Sequence, residues 1–187
     1  MKLRRLWLLI ALVPSWSFAI SVLPLNLEDL VDHADRIVVG TVDSVKFDRG
    51  NEKLWTADVV TINVLQTLKG TNETQISFRQ LPHNLDLPRF FAGDRVVLFL
   101  PKPSAIGYAS PVGLHQGVFK ISGDSTDLNE AAVVNGVLNR FLTRNLKNQN
   151  SIGVFHRLGM LDRAQDLGHL KLRHLKELVT ACNGSHP

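Results

Sequence analysis

Two long runs of β-branched and apolar residues dominate the chain, Ile37–Phe47 and Trp55–Val64. Such composition suits half-buried pleated strands. In the first run Val38, Gly40 and Val42 share one parity, whereas Val45 and Phe47 have the other. Side chains alternate with a strict period of two, so the phase change predicts an inserted residue, a bulge at Asp43–Ser44. Gly40 just before it permits a sharp bend. The second run changes phase too: Trp55, Ala57 and Val59 lie on one face, then Val60, Ile62 and Val64 on the other. Asp48-Arg49-Gly50-Asn51 between the runs is a turn, with Gly50 able to supply positive φ. The span Ile37–Gly70 is therefore expected to be a curled hairpin. Strands that switch face midway suit half of a small barrel, in which one strand serves two sheets.

The remaining pattern is arranged around that hairpin. Asn26 precedes Leu27-Glu28-Asp29 as a helix N-cap with acids in the first turn, and Leu27, Leu30, Val31 and Ala34 follow helical spacing. This short helix is expected to cap an open end of the barrel. Gln75–Gln80 reads as a third strand, with Ile76 and Phe78 inward and Ser77 and Arg79 outward. Leu81–Phe91 is a loop with Pro82 and Pro88, unusually apolar at Leu85, Leu87, Phe90 and Phe91. It is either a cover over the barrel mouth or a contact ridge. Arg95–Leu100 is apolar on both faces, the signature of the most buried strand, and Pro101 and Pro103 end it. Gly107–Pro111 is a short extended or turn segment, and Gly113–Ile121 is a tight turn leading into another strand. Within Ala131–Leu142, helical spacing of Val134, Leu138, Phe141 and Leu142, with Asp127 and Glu130 as a capping box, competes with the hairpin turn Asn135-Gly136, which is preferred. Asn145–Ser151 is polar and reads as a loop. Leu172, Leu175, Leu178, Val179 and Cys182 form one stripe of a final helix ended by Asn183-Gly184, with His169, Arg173 and Lys176 on its solvent side.

Charge and composition add a compartment. Lys2, Arg4 and Arg5 precede the apolar run Leu6–Val13, and Ser17-Phe18-Ala19 offers small residues for cleavage. This is the pattern of a secretory signal peptide, cut after Ala19. An uncleaved anchor over Leu6–Leu25 is the competing reading, interrupted by Pro14, Ser15, Ser17 and Ser21. Without the leader's three cations, the 21 basic side chains fall to 18 against 17 acidic. Residues 136–187 hold 8 basic and 3 acidic side chains and four of the seven histidines. That basic tail either docks on the acidic remainder or meets an anionic partner. Cys182 is the one cysteine, so no internal disulfide is available and the fold rests on its core. The 187 residues and 44% hydrophobic content allow one domain with appendages.

Chemical signatures are sparse. No metalloprotease helix motif, nucleophile elbow, dinucleotide fingerprint or P-loop is present, and the histidines lack zinc-ligand spacing. Cys182, on an apolar stripe, reads as an inert buried thiol. His33 reads as a surface histidine. His115 and Gln116, between two glycines, are either turn caps or binding residues. Asn72-Glu73-Thr74 and Asn183-Gly184-Ser185 are glycosylation sequons in a eukaryotic secretory path.

Four stretches, Ala34–Val42, Val64–Gly70, Gly93–Leu100 and Gln116–Phe119, taken in that order, resemble a broad set of uncharacterised exported bacterial proteins. The same order is similar to the netrin-like barrel of tissue inhibitors of metalloproteinases, an OB-type fold, over about Leu27–Ile121. Those inhibitors chelate the protease zinc through an N-terminal cysteine pinned by disulfides. Here the expected mature start is Ile20, so the resemblance implies the fold and not that mechanism.

The sequence thus leads to a mainly β protein: a closed or partly open OB-like β-barrel with a short N-terminal helix and a C-terminal helix. Its expected parts are a signal peptide (1–19), the barrel (20–145) and a basic helical extension (146–187). The expected function is a non-catalytic binding module, periplasmic or secreted, for a protein or peptide partner. No cofactor, metal, nucleic acid or stable membrane insertion after leader removal is expected. The candidate binding residues are Leu85, Leu87, Phe90, Phe91, His115, Gln116, Arg173 and Lys176. The alternatives are a secreted metalloprotease inhibitor, presenting Leu81–Phe91 or the mature N-terminus as a ridge, and a hydrolase with an unrecognised site.

Overall fold

The computed structural model describes residues 23–51, 55–82, 87–123, 127–161 and 170–184. The expected leader (1–19), Leu85 and His169 lie outside the described residues. The described residues form six strands and three α-helices: α1 (Leu27–His33), β1 (Arg36–Asp48), β2 (Ala57–Lys69), β3 (Gln75–Gln80), β4 (Arg95–Leu100), β5 (Val118–Ser122), β6 (Ala132–Asn135), α2 (Gln149–Arg157) and α3 (Leu172–Asn183). The strands make one antiparallel sheet in the order β3-β2-β1-β4-β5-β6.

The mainly β architecture is as expected, but of the closed or partly open barrel expected, closure does not form. β3 and β6 are the two ends of the ladder, and no pairing joins them among the described residues. The sheet curls because β1 and β2 carry irregularities. The register of β1 against β2 shifts between Val42 and Ser44, as the parity change at Asp43 predicts. Two further shifts skip Leu65 and Leu68 in β2. The break expected at Val59–Val60 is absent, since both residues pair in continuous register with β1 and with β3. Opposite the Leu65 shift, β2 comes so close that a Cβ on Gly40 would stand 2.5 Å from Ile62 Cγ2 and 2.6 Å from Asn63 O. Only glycine permits that approach.

Alternation then sorts the side chains into two cores. Ile37 and Val39 of β1, Val97 and Phe99 of β4, Phe119 and Ile121 of β5 and Val133 of β6 face the helices. They pack with Leu27, Leu30 and Val31 of α1, Phe155 of α2, and Leu172, Leu175, Leu178 and Val179 of α3. Helix α1 therefore packs beside α3 in this core rather than closing a barrel end. The opposite face gathers Val38, Val42, Val60, Ile62, Ile76, Phe78, Val96, Leu98, Leu100 and Val118, with Phe90 and Ala109 laid over them. Phe78 and Phe90 meet edge-to-face at 5.6 Å.

Helix α2 is an element the sequence pattern did not announce. Its N-cap is Asn148, inside the segment read as a loop, and its side chain accepts from Asn150 N at 2.8 Å. Glu28, buried on α1, completes the cap across the chain: its carboxylate accepts from Lys147 N (2.8 Å), Asn148 N (2.9 Å) and Ser151 Oγ (2.5 Å). A carboxylate is favoured where the first amides of a helix point outward.

Around Asn135-Gly136 the strand expectation holds for β6, but among the described residues no return strand of the expected hairpin follows. Residues 136–145 form successive turns, with Leu138, Asn139 and Asn145 at positive φ.

Candidate functional site

The loop before β4 crosses the sheet's second face as a strap. Gln80 Nε2, at the end of β3, donates to Pro88 O (3.1 Å) and holds its middle. Its far end is fixed at the turn into β4: Asp94 N donates to Phe91 O (3.0 Å), Gly93 N to Val42 O (2.8 Å) and Val42 N to Asp94 O (2.8 Å). Leu87 and Phe90 are buried, while Leu81 and Phe91 are exposed, Phe91 at 61%. The described part of the loop thus does both: Leu87 and Phe90 cover the sheet, and the Phe91 ring faces outward.

Beside the strap, β5 and β6 leave part of the face uncovered. The result is a groove of about 550 Å³. Val118, Lys120 and Val134 make its floor, Leu87, Pro88, Arg89 and Phe91 one wall, and His115, Asn135 and Gly136 its end. A smaller cavity of about 170 Å³ lies on the strap's other side, against Val45, Asp58 and Gln80. The closed end is tight. Gly136 N donates to His115 O at 2.9 Å, and a Cβ on Gly136 would stand 2.5 Å from His115 Cβ. Lys120 Nζ reaches Asp94 Oδ2 at 3.4 Å and stands 6.0 Å from the centre of the Phe91 ring.

The sequence candidates separate into groups. Leu87, Phe91 and His115 come together in the groove. Phe90 lies in the core under the strap. Gln116 is buried and tethers the chain before α1: its Oε1 accepts from Leu25 N (2.8 Å), and its Nε2 donates to Leu23 O (3.0 Å). This is a tether between distant segments, and it keeps Gln116 out of the groove lining. Arg173 and Lys176 sit on α3, outside the groove lining. Arg173 pairs with Glu130, and Lys176 donates to Asn129 Oδ1 at 2.9 Å. Both partners belong to the 3-10 turn Leu128–Glu130. Arg89, Lys120 and Val134 were missed. Only the pairing of β5 with β6 opposes Lys120 to Val134, and no local pattern announces that register.

Other polar clusters do structural work. Cys182 is buried near Glu28, Asp32 and Ser151; burial first and then the two carboxylates push its thiol up to about 12. Burial and the neighbouring cations Arg173 and Lys171 lower the pKa of His174. At the hairpin end, bonds from Gly50 N and Arg79 hold Asp48 below the usual carboxylate range, and the Arg79 guanidinium lies 5.4 Å over the Tyr108 ring. Exposed Phe47 and Trp55 also lie at this end. Among the described residues, no three His, Cys, Asp or Glu side chains are placed to hold a metal, and no helix is long and apolar enough to cross a membrane. Comparison with family models, curated proteins and solved structures returns no match.

Proposed function

We propose that this is an exported, non-catalytic binding module whose partner, a protein or peptide, docks in the groove between the Leu87–Phe91 strap and strands β5 and β6. The observation that carries the reading is the groove itself: about 550 Å³, bounded by Leu87, Phe91, Val118 and Val134, on the sheet face opposite the helices. Volumes of ~300–1,000 Å³ with apolar walls and few polar groups are typical of ligand sites. The leader-like N-terminus supports a periplasmic or secreted location. The curled, bulged sheet is compatible with a partly open OB-like barrel of the netrin-like kind, a fold whose members bind on one face and its loops. Fold analogy is the weaker support; the groove is the stronger.

Val134→Trp tests the reading by filling the groove from its floor. Partners captured by the exported protein from its own envelope fraction should be lost with this variant, while its thermal unfolding stays that of the wild type. Equal capture by both proteins would exclude the groove as the docking site.

A further inference from the structure

Resting on that reading, we infer that the smaller cavity, on the strap's other side, receives a lysine side chain of the same partner, its ammonium held by Asp58 and Gln80. These two residues are directly opposed across β2 and β3, and both line the cavity of about 170 Å³. Cross-strand partners stand side by side on one face. Gln80 is 4% exposed, and its Nε2 donates to Pro88 O at 3.1 Å. A carbonyl oxygen only accepts, so this bond fixes which way the amide points and makes its other end the oxygen. That oxygen, Oε1, has no hydrogen-bond partner among the described residues. A buried acceptor left unpaired is costly, and a donor entering the cavity relieves it. Asp58, half-buried, is the second acceptor. Among the described residues no ion pair or hydrogen bond engages its carboxylate. Arg89 also lines the cavity, but it has a partner of its own.

Size and lining choose the occupant. A volume of about 170 Å³ lies below the ~300–1,000 Å³ of small-molecule sites and well above the ~30 Å³ share of one water. It suits one long side chain. Val45, Leu87 and Phe90 offer apolar wall to a methylene stem, and the two acceptors call for a cationic donor at its end. An ammonium is compact, and its three donors can turn to both oxygens, whereas the fork of a guanidinium is planar and rigid. An acidic side chain would meet Asp58 with like charge. The strap sets the route. Leu87, Pro88, Arg89 and Phe91 line both cavities, so a segment seated in the groove reaches Asp58 by crossing over them.

The test is panning of a random linear peptide library, displayed on phage, against the full chain, with each enriched peptide then resynthesised. Enriched peptides should share a lysine close to an apolar residue. Replacing that lysine by norleucine should lower affinity for the wild type about tenfold or more, and Asp58→Asn should lower it as much. Against Asp58→Asn the same norleucine exchange should change little, because both changes remove one interaction. Val134→Trp should abolish binding. Peptides that carry arginine or no cation, or whose lysine acts independently of Asp58, yet are lost in Val134→Trp, would overturn the lysine site and leave the groove reading standing. Lysine peptides that depend on Asp58 and ignore Val134→Trp would uphold the lysine site and overturn the groove. No enrichment at all would overturn both. Sedimentation of the free protein provides the last arm: a dimer dissociated by Asp58→Asn would assign the cavity to a second copy and overturn the inference. Circular dichroism and thermal unfolding of each variant establish that it is folded.

Discussion

Asn135 and Asn139 each accept a hydrogen bond from the other's backbone amide: Asn135 N to Asn139 Oδ1 at 2.9 Å, and Asn139 N to Asn135 Oδ1 at 2.8 Å. Both are buried, and Asn139 sits at φ 59°, a region that asparagine tolerates better than most residues. Asn135 Nδ2 continues the network to Gln116 O (3.0 Å). The pair thus replaces a seventh strand along part of β6 and ties the groove's end to the turn before β5. Asn139→Ala should cost more than about 2 kcal/mol, since buried groups left unpaired cost ~1–3 kcal/mol each and left-handed backbone adds ~1–2 kcal/mol. Asn139→Gly should recover only the backbone part. Urea unfolding measures both; a glycine variant as stable as wild type would show that the side-chain bonds contribute nothing.

Glu28 joins α1 to α2 through one buried carboxylate. Glu28→Ala removes the acceptor of Lys147 N, Asn148 N and Ser151 Oγ together. A loss of about 2–4 kcal/mol is expected from several buried donors left unpaired at ~1–3 kcal/mol each. Glu28→Gln, which keeps one oxygen, should lose less. Amide exchange in α2 should accelerate in step with the stability loss; unchanged exchange would mean that α2 does not depend on this cap.

Helix α3 separates burial from charge. Leu175 is fully buried, so Leu175→Ala should cost ~2–5 kcal/mol. Arg173 and Lys176 engage Glu130 and Asn129 at the surface. Reversing both to Glu should cost only about 1 kcal/mol or less, as exposed pairs do. A silent Leu175→Ala beside a charge reversal that prevents folding would invert this picture of the helix.

The buried Cys182 thiol links stability to alkaline pH. Its pKa rises from 9.0 to about 12 on folding. The folded state therefore holds a proton that the unfolded state releases. This contribution is fully present below about pH 9 and is lost as pH rises towards 12. Between those values, stability of the wild type should fall more steeply than that of Cys182→Ala, read from urea midpoints at each pH. Parallel slopes would show that the thiol titrates alike in both states. Native Cys182 should also resist alkylation at neutral pH, because the thiolate is the reactive form.

Local pattern foretold the strands but not how far the sheet would close. The phase change across Val42 and Val45 revealed the bulge, and the run Val96–Leu100 revealed a strand buried on both faces, because each signal is carried by adjacent residues. The candidate site was half legible for the same reason. Leu87 and Phe91 stood out as apolar residues in a loop, and His115 as a turn residue. Lys120 and Val134 become groove residues only through strand pairing. Helix α2 was hidden because the carboxylate completing its cap, Glu28, lies 120 residues before Asn148. Arg173 and Lys176 looked solvent-directed along their helix, yet Glu130 and Asn129 arrive from another part of the fold.

A photo-crosslinking amino acid placed at Val134, compared with the same group at exposed Leu65 on β2, gives the most direct test of the groove. In cells that make the protein, position 134 should yield a discrete adduct with a partner. Position 65 should not yield that adduct. Equal adducts at both positions, or none at position 134, would contradict a partner seated between the strap and β6.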